Sequence, residues 1–163
     1  MACFTHLNAN GEAVMVNVAE KSVTTRTARA RGKIFMSAEA LRMVESGGGK
    51  KGDVFGASRI AGIMAVKNTA FLIPLCHPLA VDFCSIEFTI NSAQNYVEVE
   101  CSVQLTAKTG AEMEALTGAS IALLTIYDMC KSVDRAMTLG EIRLVEKSGG
   151  KSGLFVRENE PVQ

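Results

Sequence analysis

The chain has 163 residues, of which 48% are hydrophobic and 21% are charged. That size and composition are typical of one compact domain, spanning 1–163, whose core is large enough to fold without disulfide or metal staples. Lys and Arg total 17, as do Asp and Glu, so the net charge is near zero. This balance excludes a protein that binds nucleic acid through a broad positive field.

The N-terminus does not show the basic region followed by an apolar run that is typical of a signal peptide, so we expect none. No apolar stretch is long enough to cross a bilayer, so we also expect no membrane segment. Five cysteines are scattered through the sequence, and no two have C-x-x-C spacing: Cys3, Cys76, Cys84, Cys101 and Cys130. An odd number of scattered cysteines is typical of reduced thiols. The sequence therefore predicts a cytoplasmic protein.

The first half of the chain is predicted to contain one strand and two helices. After a loose arm over 1–20, a strand runs from about Val23 to Met36. Ser37 and Asp53 are placed to cap the two helices, and the second reaches about Ala70. That helix is expected to bury an apolar stripe made of Ala57, Ile60, Ala61, Met64 and Phe71.

The second half is predicted to form a hairpin, a long helix and a last strand. The hairpin strands cover about 84–90 and 97–105, and 91–95 form the turn. Thr109 to Glu112 matches a capping box that opens a helix to about Val133, and the last strand covers about 139–147 before a flexible tail at 148–163. This order predicts an α+β, ferredoxin-like split βαβ fold with an antiparallel sheet and an additional helix.

Alternation along the first strand separates its basic residues. Arg29, Arg31 and Lys33 share one face, which we interpret as solvated, whereas Arg26 shares the other face with Ala28 and Ala30. A basic residue on an apolar face needs a separate explanation.

Asp128 is the only charged residue from Ala115 to Cys130. A carboxylate among apolar neighbours must be paired, protonated or facing a cleft, and Lys131 lies on the same helix face. The pair fits an ordinary ion pair at a helix end, which is the commoner case, and it also fits a shielded pair that transfers protons. The residues alone leave both interpretations open.

Other polar residues suggest a site for a small anion. Lys51 follows a glycine run, and Lys147 and Lys151 lie in a Gly- and Ser-rich segment, so both loops could surround phosphates. A P-loop is excluded, because Val145 stands where its first glycine should be and no helix follows. Held between two prolines, His77 suits hydrogen bonding to a ligand better than metal binding with Cys76, since no second Cys/His pair has ligand spacing.

Six ordered segments resemble the MoaC family and together cover most of residues 5 to 153. They are Lys51-Gly-Asp-Val-Phe, Arg59-Ile-Ala-Gly-Ile, Leu72-Ile-Pro-Leu-Cys-His-Pro-Leu, Thr106-Ala-Lys-Thr-Gly-Ala-Glu-Met-Glu-Ala-Leu-Thr, Leu124-Thr-Ile-Tyr-Asp-Met-Cys-Lys and Lys147-Ser-Gly-Gly-Lys-Ser-Gly. Departures occur in the glycine run before Lys51, in the hairpin turn and in the tail.

The resemblance implies a cyclic pyranopterin monophosphate synthase, a lyase-type enzyme of molybdenum cofactor biosynthesis. Such an enzyme converts cyclised dihydro-GTP to cyclic pyranopterin monophosphate and releases pyrophosphate. By the same resemblance, Asp128, Lys131 and Lys51 are catalytic. The implied substrate-binding residues are Arg26, Leu75, Cys76, His77, Glu112, Met113, Glu114 and Lys147.

The resemblance also implies a homohexamer, a trimer of dimers, with its pocket between subunits. No cofactor is required, although Mg²⁺ can accompany the triphosphate. Two other functions stay open at this stage. A GTP cyclohydrolase would need a zinc site, for which the chain offers only His6 and His77 as histidine ligands. A non-catalytic nucleotide-binding domain on the same scaffold would bind GTP analogues without turnover.

Overall fold

A computed structural model describes residues 5–47, 53–158 and 160. Five strands and four helices follow one another along this part of the chain. They are β1 (Thr24–Phe35), α1 (Ala38–Glu45), α2 (Val54–Lys67), α3 (Thr69–Leu72), β2 (Phe83–Asn91), β3 (Tyr96–Ala107), α4 (Glu112–Cys130), β4 (Thr138–Ser148) and β5 (Phe155–Val156).

The strands form one antiparallel sheet in the order β2-β3-β1-β4-β5. The long helices α2 and α4 pack against each other, and α4 also packs on β1, β3 and β4. The core lies between this helix layer and the sheet, where Ala28, Ala30 and Ile34 of β1 are buried. The fold is therefore the α+β, ferredoxin-like arrangement that the sequence predicts.

Two of the three predicted helix caps are confirmed. The Ser37 hydroxyl accepts a hydrogen bond from the Ala40 amide at 3.2 Å, and the Asp53 carboxylate accepts one from the Gly56 amide at 2.8 Å. The capping box at Thr109 is wrong, because α4 begins after Ala111 without a side-chain cap. The Glu112 carboxylate, which should have closed the box, instead accepts a hydrogen bond from the Lys147 ammonium.

The predicted apolar stripe of α2 is wrong. Ile60 and Met64 are 63% and 58% exposed, and Phe71, which lies beyond α2 in α3, is 86% exposed. Small residues form the buried face instead. A Cβ added at Gly62 would lie 3.1 Å from the Gly118 carbonyl oxygen of α4. The two helix backbones approach so closely that larger side chains must point elsewhere.

The face of the sheet opposite the helices is more buried than the sequence predicts. Arg31 is only 2% exposed and pairs with Glu100 at 2.6 Å and with Glu160 at 3.2 Å. Glu160 also pairs with Arg143, and Arg143 with Glu98 at 3.2 Å. The expectation of a solvated face is therefore wrong at Arg31, because the carboxylates of Glu100 and Glu160 pair with its guanidinium on that face.

The segment predicted as a flexible tail adds β5 to the sheet edge beside β4. Its mobility stays a prediction. Among the described residues, no helix combines the length and the apolar character needed to cross a membrane.

Candidate functional site

A cavity of about 1040 Å³ opens at one end of the sheet. It lies where the start of β1, the first turn of α4 and the loop after β4 meet the segment between the two prolines. All the residues expected to bind substrate line it: Arg26, Leu75, Cys76, His77, Glu112, Met113, Glu114 and Lys147. A cavity of this size can enclose a nucleotide-sized ligand.

Arg26 supplies a buried positive charge to the cavity wall. The residue is only 8% exposed, and its guanidinium donates hydrogen bonds to the Gly149 carbonyl at 3.3 Å and to the Lys108 carbonyl at 3.5 Å. In the described part of the chain no carboxylate pairs with it, and its Nε and the nearby Thr24 hydroxyl are buried without hydrogen-bond partners. A buried cation held only by carbonyls favours binding of an anion. This accounts for the basic residue on the apolar face of β1.

The first turn of α4 supplies two carboxyl groups with different surroundings. Glu112 pairs with Lys147, and both side chains are 28% exposed. Glu114 is only 3% exposed, and its burial, together with the charge of Glu112, raises the pKa of its carboxyl group. Glu114 therefore holds a proton more readily than an ordinary glutamate, and it can donate as well as accept a hydrogen bond.

Cys76 lies in the cavity wall between Leu75 and His77. Burial, followed by the nearby charge of Glu114, raises the pKa of its thiol. A thiol that resists ionisation is a poor nucleophile and a poor metal ligand. No group of three His, Cys, Asp or Glu side chains within 5–47, 53–158 and 160 is arranged to hold a metal ion.

Asp128 and Lys131 lie at the opposite end of α4. Asp128 follows Glu114 by fourteen residues, which is about 21 Å along a helix. The Lys131 ammonium and the Asp128 carboxylate pair at 2.6 Å. Both side chains line a second, shallower cavity of about 470 Å³ together with Leu124 and Tyr127. Their hydrogen bond raises the pKa of the Lys131 ammonium.

The expectation of a shielded Asp128 is wrong for a single chain. Its side chain is 69% exposed and that of Lys131 is 54% exposed. Ile126 and Cys130 are buried on another side of the helix, and Leu124, on the same face as Asp128, is itself 53% exposed, so these apolar neighbours do not cover the carboxylate. Lys51 lies outside the described residues, and its place in the site stays a prediction.

The sequence model of the MoaC family matches residues 15–150. The chain belongs to the MoaC family. Several similar proteins are named cyclic pyranopterin monophosphate synthase. The one from a Thermoanaerobacter species is 49% identical to this chain, in an alignment that covers 94% of this chain and 98% of the relative. The one from Pelobacter propionicus is 50% identical over 95% of this chain and 97% of the relative. The one from Pelotomaculum thermopropionicum is 51% identical over 98% of this chain and 94% of the relative.

This MoaC-family chain also places residues at the cavity that the sequence did not single out. The N-terminal arm contributes Thr5, Val16 and Glu20, and the Lys108 ammonium donates a hydrogen bond to the Ala19 carbonyl at 2.6 Å. The arm carries no hydrophobic periodicity, so pattern alone could not have assigned it to the site. Residues 1–20 contain no lysine or arginine, so charge did not point to the arm either.

Proposed function

We propose that this MoaC-family chain is a cyclic pyranopterin monophosphate synthase. It converts cyclised dihydro-GTP to cyclic pyranopterin monophosphate and releases pyrophosphate, in molybdenum cofactor biosynthesis in the cytoplasm. The observation that carries this proposal is a cavity lined both by the buried guanidinium of Arg26, which pairs with no carboxylate among the described residues, and by the carboxyl groups of Glu112 and Glu114. Relatives of about 50% identity bear the name of this enzyme.

The cationic side chains and the carboxyl groups of the cavity suit the two ends of such a substrate. Arg26 and Lys147 bind the triphosphate through charge-assisted hydrogen bonds to phosphate oxygens, and His77 contributes a further hydrogen bond to it. Glu112 or Glu114 accepts hydrogen bonds from the N–H groups of the guanine-derived ring, and the readily protonated Glu114 can also donate one. Leu75, Cys76 and Met113 complete the wall around the ring.

We infer that the catalytic pair reaches this cavity from a neighbouring copy, within a homohexamer that is a trimer of dimers. Three observations support a subunit contact at the far end of α4: Asp128 and Lys131 are exposed, they line a concave surface, and Leu124 beside them is 53% exposed. One carboxylate and two ammonium groups, from Asp128, Lys131 and Lys51, then carry the proton transfers.

The phosphate step illustrates these roles. A sugar-derived hydroxyl attacks the α-phosphorus and forms the new P–O bond while the bond to pyrophosphate breaks. The hydroxyl proton passes to the Asp128 carboxylate, and the electron pair of the broken bond leaves on pyrophosphate. The cations of the cavity stabilise the charge that develops on the phosphate oxygens. Mg²⁺ can accompany the triphosphate as part of the substrate, and the protein needs no cofactor of its own.

The direct test incubates the purified protein with cyclised dihydro-GTP and measures pyranopterin phosphate and pyrophosphate. Asp128→Asn and Lys51→Ala should each abolish product while thermal unfolding stays unchanged. Near-normal turnover in both variants would contradict the assigned roles. Binding of GTP analogues without any turnover by the unsubstituted protein would favour a non-catalytic binding domain, and stoichiometric zinc in metal analysis would favour a cyclohydrolase.

A mixed assembly tests whether the pocket is shared. Copies carrying Arg26→Ala and copies carrying Asp128→Asn are inactive alone, but random pairs of the two should regain about a quarter of the activity, because some pockets then receive both intact halves. The matched control mixes Arg26→Ala with His77→Ala, which lie in the same half and should not restore activity. Equal recovery in both mixtures, or none in either, would argue against a pocket built from two chains.

A further inference from the structure

The turn after β4 packs directly on the guanidinium of Arg26. Gly149 and Gly150 have φ angles of +97° and +68°. Residues other than glycine rarely adopt this left-handed backbone conformation. The Gly149 carbonyl accepts a hydrogen bond from Arg26 Nη1 at 3.3 Å. The backbone of this turn therefore both supports the guanidinium and accepts one of its hydrogen bonds.

Gly150 leaves no room for a side chain against Arg26. A Cβ added there would lie 2.6 Å from Nη2 and still closer to Nη1 and Cζ, so the guanidinium would have to move. Gly153, three residues later, has nearly the same φ of +63°, yet a Cβ added there would meet nothing within 4 Å. Backbone conformation is thus common to the two glycines, whereas contact with Arg26 belongs to Gly150.

We propose that Gly150 is a positioning residue that sets the direction of the Arg26 guanidinium in the cavity. This inference rests on the proposed function, in which Arg26 binds the triphosphate. Carbonyl groups, not a carboxylate, hold Arg26 in the described chain, so little else fixes the plane of its five N–H donors. A methyl group at position 150 displaces the guanidinium, and the phosphate oxygens then lose correctly directed donors.

An alternative is that the glycines simply make this loop flexible enough to close over substrate. Flexibility would depend on backbone freedom, which Gly150 and Gly153 share. The positioning role depends on contact with Arg26, which they do not share. Alanine at each position, with and without Arg26→Ala, separates the two explanations.

The kinetic measurement uses cyclised dihydro-GTP. Gly150→Ala should raise KM about tenfold and change kcat less than about twofold, because the contact binds the substrate and not the reacting bonds. Gly153→Ala should change both constants less than about twofold. Because the Arg26→Ala protein is inactive, the double variant is compared by its affinity for inorganic pyrophosphate: adding Gly150→Ala to Arg26→Ala should weaken that affinity by less than about twofold.

Thermal unfolding gives a readout that needs no turnover. Gly150→Ala should lower Tm by about 3 °C more than Gly153→Ala does, and the excess should vanish when Arg26 is alanine. Equal effects at the two glycines, or a Gly150 effect that persists without Arg26, would overturn the proposal. If the unsubstituted protein makes no product, the proposed function fails, while the Tm comparison still decides whether Gly150 and Arg26 are coupled.

Discussion

The Lys147 ammonium lies 2.6 Å from a carboxylate oxygen of Glu112 in the wall of the main cavity. A cation assigned to the triphosphate is therefore neutralised by a carboxylate assigned to the guanine-derived ring. Both side chains are 28% exposed, and partly exposed ion pairs of this kind are weak. A polyphosphate can displace Glu112 from Lys147, which would free the carboxylate for the ring at the moment when substrate binds.

Glu112→Gln should therefore strengthen binding of inorganic pyrophosphate by about threefold to tenfold, because Lys147 no longer has to leave an anionic partner. Isothermal titration calorimetry of the purified variant measures this affinity. Adding Lys147→Ala to Glu112→Gln should remove the gain. Weaker binding by Glu112→Gln alone would show that the carboxylate orients Lys147 and does not compete for it.

Glu114→Gln should raise Tm at pH 7 by about 3 °C, since it removes a carboxylate whose ionisation burial opposes. The sign follows from the raised pKa: the protonated form is favoured in the folded protein. The contribution of Glu114 to stability is then greatest below the ordinary value of 4.5 and is lost as pH rises through the higher folded value. The advantage of the variant should disappear near pH 4. Thermal unfolding at both pH values tests this, and a stability gain of the same size at both would contradict it.

Glu160→Gln should destabilise the protein by about 1–2 kcal/mol at pH 7, because Arg31 and Arg143 lose a shared carboxylate while keeping Glu100 and Glu98. Hydrogen bonding from Arg143 lowers the pKa of Glu160. Its contribution is therefore present above 4.5 and is lost as pH falls through the lower folded value.

Urea unfolding at pH 7 and at low pH measures the Glu160 contribution. The matched control is Glu158→Gln, two residues earlier at an exposed position, which should change the free energy of unfolding by less than about 0.5 kcal/mol. Equal effects of the two variants would mean that the ion pairs of Glu160 add nothing to stability.

Leu124→Glu should disrupt the assembly without unfolding the chain. Leu124 is 53% exposed and lies one turn before Asp128 on the face proposed to meet a neighbouring copy. Burying a new carboxylate in that contact is unfavourable, so we expect a smaller species in analytical ultracentrifugation and loss of activity. Met43→Glu on α1, where Met43 is 38% exposed, serves as the control and should leave the size unchanged. An unchanged size for Leu124→Glu would place the contact elsewhere.

The order of elements was predictable because β1, the hairpin and α4 have clear hydrophobic periodicity, and because Ser37 and Asp53 are strong cap residues. The face of α2 was not predictable, since hydrophobicity favoured Ile60 and Met64 over the smaller residues that close helix contact requires. Arg26 could be recognised as exceptional from its place among alanines. Its burial against Gly150 depends on a turn more than a hundred residues away, which local patterns do not encode.

Asp128 shows a different limit of sequence reasoning. Its apolar neighbours predicted a shielded carboxylate, but along a helix adjacent residues point in different directions, and a single chain leaves the side chain exposed. Whether such a group becomes shielded depends on a second molecule, whose arrangement local periodicity does not specify.

The central strand β1 serves the two faces of the sheet at once, with Arg26, Ala28 and Ala30 toward the helices and Arg29 and Arg31 toward the opposite side. Loss or gain of one residue within it would exchange these faces, burying two arginines under α4 and withdrawing the cavity's guanidinium. Substitutions can accumulate in this strand one at a time. An insertion or deletion of one residue within the strand would not be tolerated. Insertions and deletions among related sequences should therefore fall in the surrounding loops and not in β1.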